Sequence, residues 1–411
     1  MNLERKQQWS WALYDWANSA FATTVIAGFF PIFFNKYWAD GVASEIQTLY
    51  LGVGGSISSL LVMLAAPWLG GIADRRGLKK RFLGIFTVIG VLSTAALYFV
   101  GKGQWQAAIA LFTLGSIGFF GALSFYDSLL VNVAKPSESD RVSALGYGMG
   151  YLGGGLLFAL NVTMALKPQW FGLPDAALAT RISFVMVAVW WALFAIPLLR
   201  HVPEAPATGG GLGWAELWKT VRELRGMKPV WMFLFAYWLY IDGVDTIIRM
   251  AVDFGMKLGF PSDSLIVALL LVQFLGFPAA IVFGWLGTRI GTRRAIFLAL
   301  TVYAGVTFWA YFLQTVTQFY LMAAAIATVQ GGIQSLSRSY YSRLIPAHRA
   351  GEFFGFYNML GKFAAVLGPV VVGVTAAMTG DPRLSILSIL FFFVAGGLLL
   401  ARVPETASSL R

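Results

Sequence analysis

The chain has 411 residues, of which 58% are hydrophobic and only 12% charged, with a mean hydropathy of +0.71. Soluble domains carry about 25% charge, so this composition is that of a membrane protein. With no cysteine, disulfides, thiol nucleophiles and thiolate metal sites are excluded, and with only His201 and His348 imidazole metal sites are nearly so.

The sequence contains no HExxH, no P-loop and no dinucleotide-binding glycine pattern. An enzyme is therefore not expected, nor a metal or cofactor. The net charge of +11 would suggest nucleic acid in a soluble protein. Here the basic residues sit in short loops between apolar segments, where they report topology. We expect membrane lipids and no nucleic acid as neighbours.

The N-terminal MNLERKQQ is mildly basic and precedes "SWALYDWANSAFATTVIAGFFPIFF", residues 10–34. That stretch is longer than the h-region of a signal peptide and lacks an A-x-A site, so it reads as an uncleaved first span. Further apolar windows of about 20 residues, enough to cross the hydrocarbon as helix, fall at 48–73, 82–100, 105–134, 142–166 and 180–200. A polar centre follows. Its Pro- and Gly-rich opening, VPEAPATGGGLG, leads into WAELWKTVRELRG, where Trp214, Leu217, Trp218, Val221 and Leu224 recur at helical spacing opposite Glu216, Lys219, Arg222 and Glu223. This predicts a linker over 202–229 carrying an amphipathic helix on the membrane surface. Six more windows lie at 230–255, 263–287, 295–313, 318–344, 353–378 and 384–402.

Twelve spans put both termini on one side. If that side is the cytoplasm, it holds twenty-one Lys and Arg against six opposite, which fixes the orientation under the positive-inside rule. The units are then 1–201, the linker 202–229, and 230–411, in an all-α membrane protein of two six-helix bundles.

The two bundles share a repeat. "GGIADRRGLKKR" at 70–81 corresponds to "GWLGTRIGTRR" at 284–294, with Gly70 on Gly284, Asp74 on Thr288, Arg75 on Arg289 and Gly77 on Gly291. Pro136 and Pro346 correspond at nearly the same offset. An even number of spans per unit makes this a parallel repeat about an axis along the membrane normal, as in alternating-access transporters.

The motif G-x-x-x-D-R-x-G-x-K-K resembles the cytoplasmic loop motif of the major facilitator superfamily. Glycines allow close helix approach and a carboxylate can face a helix N-terminus. The resemblance implies a gating role for Gly70, Asp74, Arg75 and Gly77, with Gly284, Arg289 and Gly291 as the second copy. Thr288 in place of the acid puts a symmetric latch in doubt. "WALYDWANSAFATTV", "DGVDTIIRM", "GGIQSLSRSYYSRLIP" and "GEFFGFYNMLGKFAAVLGP" are similar to the vacuole-effluxer-like family of major facilitators, whose fungal members export amino acids from the vacuole. That resemblance implies transport of a small molecule by a monomer.

Charged side chains inside a span are costly and are functional candidates by default. They occur as Asp15 in span 1, Asp127 in span 4, Asp242, Asp245 and Arg249 in span 7, Arg338 in span 10 and Lys362 in span 11, and nowhere inside spans 3, 6, 9 and 12. The superfamily fold implies that spans 1, 4, 7 and 10 line the cavity, in agreement. Asp242, Asp245 and Arg249 share a helical face, as do Gln330, Gln334 and Arg338, and Asn358 and Lys362. Asp245 with Arg249 reads equally as a structural pair, and Asp127 with Arg338 as a lock across the cavity. Asp15, with Asn18 and Ala22 on its face, is expected at the inner mouth, as a gate or proton-titrating group or as a structural cap.

Carboxylates and cations together suit a zwitterion, with Tyr126, Trp238 and Tyr240 able to pack an apolar side chain. The reading is a secondary transporter of an amino acid or small peptide, with protons as coupling ion, in a bacterial inner membrane with cytoplasmic termini. Alternatives are a proton-coupled organic-anion carrier, a lipid flippase and a sensor without flux.

Overall fold

The computed structural model describes residues 2–211, 218–220, 222–223 and 226–404. The twelve spans form twelve membrane helices: α1 (Leu3–Trp38), α2 (Ser44–Arg76), α3 (Lys79–Phe99), α4 (Trp105–Val133), α5 (Ser139–Leu166), α6 (Ala176–His201), α7 (Lys228–Lys257), α8 (Ser262–Ile290), α9 (Thr292–Ala310), α10 (Val316–Leu344), α11 (Ala350–Thr379) and α12 (Arg383–Ala401). No strand occurs among the described residues.

Eleven of these helices are long and apolar enough to cross a membrane on composition alone. The twelfth is α9, whose average is diluted by Arg293 and Arg294 in its first turn. Its 19 residues still span about 28 Å, and Ala295, Ile296, Ala299 and Tyr303 are fully buried in the second core.

Local chemistry sets the ends. Gly77 (φ 64°) and Gly380 (φ 67°) stop α2 and α11 in left-handed turns. Asp175 caps α6, and Thr315 with Gln318 forms a capping box on α10. Helix α1 departs from regular α geometry. It widens to a π-helix over Phe21–Phe29 and again over Phe34–Trp38, a form that tends to occur at functional sites.

Buried apolar residues gather in two clusters, one from Trp11 to Val202 and one from Val230 to Val403. The described chain ends lie on one side. Glu4 pairs with Lys135 at 3.0 Å, Gln8 reaches Glu138, and Arg293 reaches the carbonyl of Val403, all in loops of the same face. The linker strand begins on this face too, with Thr208 and Gly209 N–H groups on the carbonyls of Asp74 and Arg75. The amphipathic helix expected over 214–224 lies largely outside the described residues. Within it Thr220 and Glu223 are described, docked on Glu352 and Arg349 respectively.

Candidate functional site

A cavity of about 430 Å³ lies between the two clusters, walled by α1, α4, α5, α7, α8, α10 and α11. No described residue of α3, α6, α9 or α12 contributes to the wall, matching the spans that lack interior charge. The cavity runs from Asp15, Asp127 and Arg338 up to Ala251, Leu265 and Phe319, which lie toward the ends of α7, α8 and α10 remote from the chain termini.

Its floor is one ion cluster. The Arg338 guanidinium donates through Nη1 to Asp127 Oδ1 at 2.9 Å, through Nε to Ser143 Oγ at 2.9 Å, and through Nη2 to the Ser143 carbonyl at 3.0 Å. Asp15 Oδ2 lies 3.5 Å from Nη2 and accepts a 2.8 Å hydrogen bond from Tyr126. Asn358 donates to the second oxygen of Asp127 at 3.1 Å. Trp11 and Tyr147 face the guanidinium at 4.7 and 4.4 Å, where a weakly hydrated cation gains from the ring quadrupole. Arg338 is 1% exposed and is neutralised by two carboxylates. The cluster joins α10 and α11 to α1, α4 and α5, so it bridges the two halves. Asp15 thus lies at the end of the cavity nearer the chain termini, which the cluster closes.

The upper wall differs. Asp245 and Lys362 both face the cavity and form no ion pair within 4.0 Å among the described residues. The Lys362 ammonium lies 3.3 Å from the centre of the Phe120 ring of α4. Asn18 lines the wall with a buried Nδ2 that has no hydrogen-bond partner, and Gln330 and Gln334 add amide groups. Two expected residues are elsewhere. Asp242 is buried against α11, off the cavity wall, and Arg249 is exposed and also off the wall. The shared face expected for Asp242, Asp245 and Arg249 therefore divides, because the cavity admits only a narrow strip of α7.

The aromatic lining also differs from expectation. Tyr126 is taken up by the floor, and Tyr240 is buried on Ser337 at 2.6 Å. Tyr147, Tyr151, Tyr237 and Tyr357 line the cavity instead. Tyr147 and Tyr151 sit four apart among the glycines of "GYGMGYLGGG", a spacing that signals one face, though not which way it turns.

Below the floor the molecule is sealed twice. At the first seal Asp74 accepts from the N–H groups of Gly351 and Glu352, at 3.0 and 2.8 Å, in the first turn of α11. That is where a helix presents free donors and positive potential. Lys79 pairs with the same carboxylate at 2.8 Å, and Arg75 approaches Glu352 at 3.7 Å. Gly70 meets Gly351 so closely that a Cβ would sit 2.2 Å from its carbonyl oxygen. At the second seal Thr288 bonds only within its own helix, to the Trp285 carbonyl, and exposed Arg289 lies over the Trp285 ring. The acid comes from the other partner, Asp140 of α5, which binds Arg343 at 3.0 Å, Thr292 at 2.6 Å and Ser339. Gly284 packs on Ala144 beside it, while Gly291 (φ 92°) forms the turn into α9. Sequence reading missed Asp140 and Arg343 because they lie at span ends, where a charge is ordinary.

Comparison with known proteins places this architecture. The model of the family described as "Vacuole effluxer Atg22 like" matches residues 41–136 and 131–409. The uncharacterised MFS-type transporter YxiO of Bacillus subtilis is 39% identical over 98% of this chain and 96% of its own length. Autophagy-related protein 22 of Yarrowia lipolytica is 23% identical over 80% of this chain and 71% of its own. Among solved structures, the human organic anion transporter MFSD10 has the same fold, with a TM-score of 0.79 at 15% identity over 97% of this chain and all of that one. The chain belongs to the vacuole effluxer Atg22-like family of major facilitator transporters.

Proposed function

We propose that this protein carries a small zwitterionic solute, an amino acid or small peptide, by alternating access coupled to protons. One observation carries the reading. Asp245 and Lys362 present opposite charges to one cavity without an ion partner among the described residues, while the other cation on its wall, Arg338, is already paired with Asp15 and Asp127. A substrate ammonium on Asp245 and carboxylate on Lys362 would compensate both charges, and about 430 Å³ is in the range of small-ligand sites. Asn18, Gln330 and Gln334 supply neutral polar contacts, and the tyrosines an apolar yet hydrogen-bonding surface for the side chain.

With termini in the cytoplasm of a bacterial plasma membrane, the sealed side is the inner one and the cavity faces outward. Residues 1–201 and 230–411 then rock as two halves, tied by 202–229, about the Asp15–Arg338–Asp127 cluster, in a protein acting as a monomer. The test is uptake of labelled neutral amino acids into proteoliposomes under imposed pH gradients, for the native chain, Lys362→Ala and Asp245→Asn. Gradient-sensitive flux lost in both variants supports the reading. Flux of organic anions lost only in Lys362→Ala would replace the zwitterion by an anion. No flux of any amino acid would retire it.

A further inference from the structure

Among the interior carboxylates, Asp242 is the one that neither lines the cavity nor joins an ion pair among the described residues. It is 1% exposed, on the side of α7 turned to α11. Oδ1 accepts the N–H of Gly368 at 2.9 Å and faces the Thr246 hydroxyl at 3.5 Å. Oδ2 is buried with no hydrogen-bond partner.

The surroundings are built to bring this carboxyl against the α11 backbone. A Cβ on Gly368 would sit 1.8 Å from Thr246 Oγ1 and 2.8 Å from Asp242 Oδ1, so only glycine permits the approach. The next residue, Pro369, lies inside α11 and has no N–H to give to the preceding turn. The helix runs on through this point, but one backbone hydrogen bond is missing next to where the carboxyl touches it. On the other side of α7, Gly243 packs on Phe393 of α12, which brings no polar group.

An ionised carboxylate buried without a cation is costly, and such a group either neutralises or binds a positive ion. The charges that bear on Asp242 are Asp245 and Arg249, one and two turns along α7. Among the described residues of α11 it meets the Gly368 amide, and Lys362, six residues earlier, faces the cavity instead. From α10, Ser337 is paired with Tyr240 of α7 at 2.6 Å. A metal ion would need several oxygens around it, whereas the closest neighbour offers an N–H. That donor suits both the neutral and the ionised carboxyl, so both forms are accommodated.

We propose that Asp242 is a proton-binding site, apart from the substrate cavity, that exchanges its proton as α7 and α11 shift at Gly368–Pro369. The proton passes between water in the cavity and Oδ2, making or breaking one O–H bond with no electron transfer. Use of that proton to drive flux rests on the carrier reading above. Protonation of the site does not.

The test is infrared difference spectroscopy of the full chain in liposomes, acid minus alkaline, reading the C=O stretch of a protonated buried carboxyl and its shift in D2O. The native protein should show a component that disappears in Asp242→Asn and survives in Asp245→Asn. Should Asp242→Asn fail to reach the membrane, Asp242→Glu should displace that component. Spectra of these variants identical to the native one would overturn the site. A component whose amplitude follows sodium concentration at fixed pH would also overturn it, in favour of a metal cation. In the transport arm, leucine accumulation in Asp242→Asn should fall to the level seen without a gradient. If the native protein moves no leucine, the carrier reading fails while the infrared result still decides the proton site.

Discussion

The two seals below the cavity do the same thing with different chemistry. Between α2 and α11 a carboxylate grips backbone amides, Asp74 on Gly351 and Glu352. At the second seal Asp140 of α5 grips side chains of α9 and α10, Thr292, Arg343 and Ser339. The repeat has kept the place of closure and moved the acid from one helix of the pair to the other. Grip on a helix start depends on the carboxylate alone, since the amides come with the fold. Grip on side chains depends on every member. The second seal should therefore be the more sensitive to substitution.

Because the chain has no native cysteine, Ala27→Cys in the cavity wall gives a background-free report, through an impermeant maleimide, on how long the cavity faces away from the termini. Arg338→Ala should have the largest effect, since it leaves Asp15 and Asp127 buried without their cation; we expect about 3–5 kcal/mol of lost stability, read by thermal unfolding in detergent. Next comes Asp140→Ala, which takes away the carboxylate that Arg343, Thr292 and Ser339 share and should cost about 3 kcal/mol, with labelling at position 27 falling as the inner side opens. In a Lys79→Gln background, which removes the buried ammonium paired with Asp74, Asp74→Asn keeps one acceptor for the α11 amides and should cost less, about 1.5–3 kcal/mol. If it equals or exceeds Asp140→Ala in the same assay, the contrast between the seals is wrong.

Gly70→Ala should lower labelling by forcing α2 off Gly351, at about 1–3 kcal/mol for overpacking, without changing any charge. The smallest effect is expected at Glu223→Gln, which removes a 2.5 Å, partly exposed pair between the linker and Arg349. Such pairs contribute up to about 1 kcal/mol and fade with salt. Arg349 holds the Glu223 carboxyl below the usual carboxylate range. The linker's grip is then complete above the free carboxylate pKa and lost as pH falls through the lowered one, to be followed by protease accessibility of the linker.

Much of this was legible in the sequence, for identifiable reasons. Span length and basic loops follow from the bilayer itself, so twelve helices and the common side of the termini could be read directly. Even α9 was found, because Arg293 and Arg294 mark a span start as well as they dilute its hydropathy. Asp74 could be expected to meet a helix N-terminus, but not that of α11, since 277 residues separate it from Gly351. The sorting of interior charges was beyond reach for the same reason. Whether Arg338 meets Asp127 across 211 residues, or Asp242 turns from the cavity to Gly368, depends on helix rotation, which period alone leaves open. The aromatic wall was misassigned on that account too.

The displaced acid also bears on how the two bundles recognise each other. Two copies of the first bundle placed face to face would bring Asp74 of one against the α5 start of the other, where Asp140 already stands. Two copies of the second would set Thr288 and Thr292 before the α11 amides of Gly351 and Glu352, with no carboxylate to receive them. Like charges in one case and unanswered donors in the other work against self-pairing. Only the unlike combination satisfies both faces, so the duplicated halves have become obligate partners.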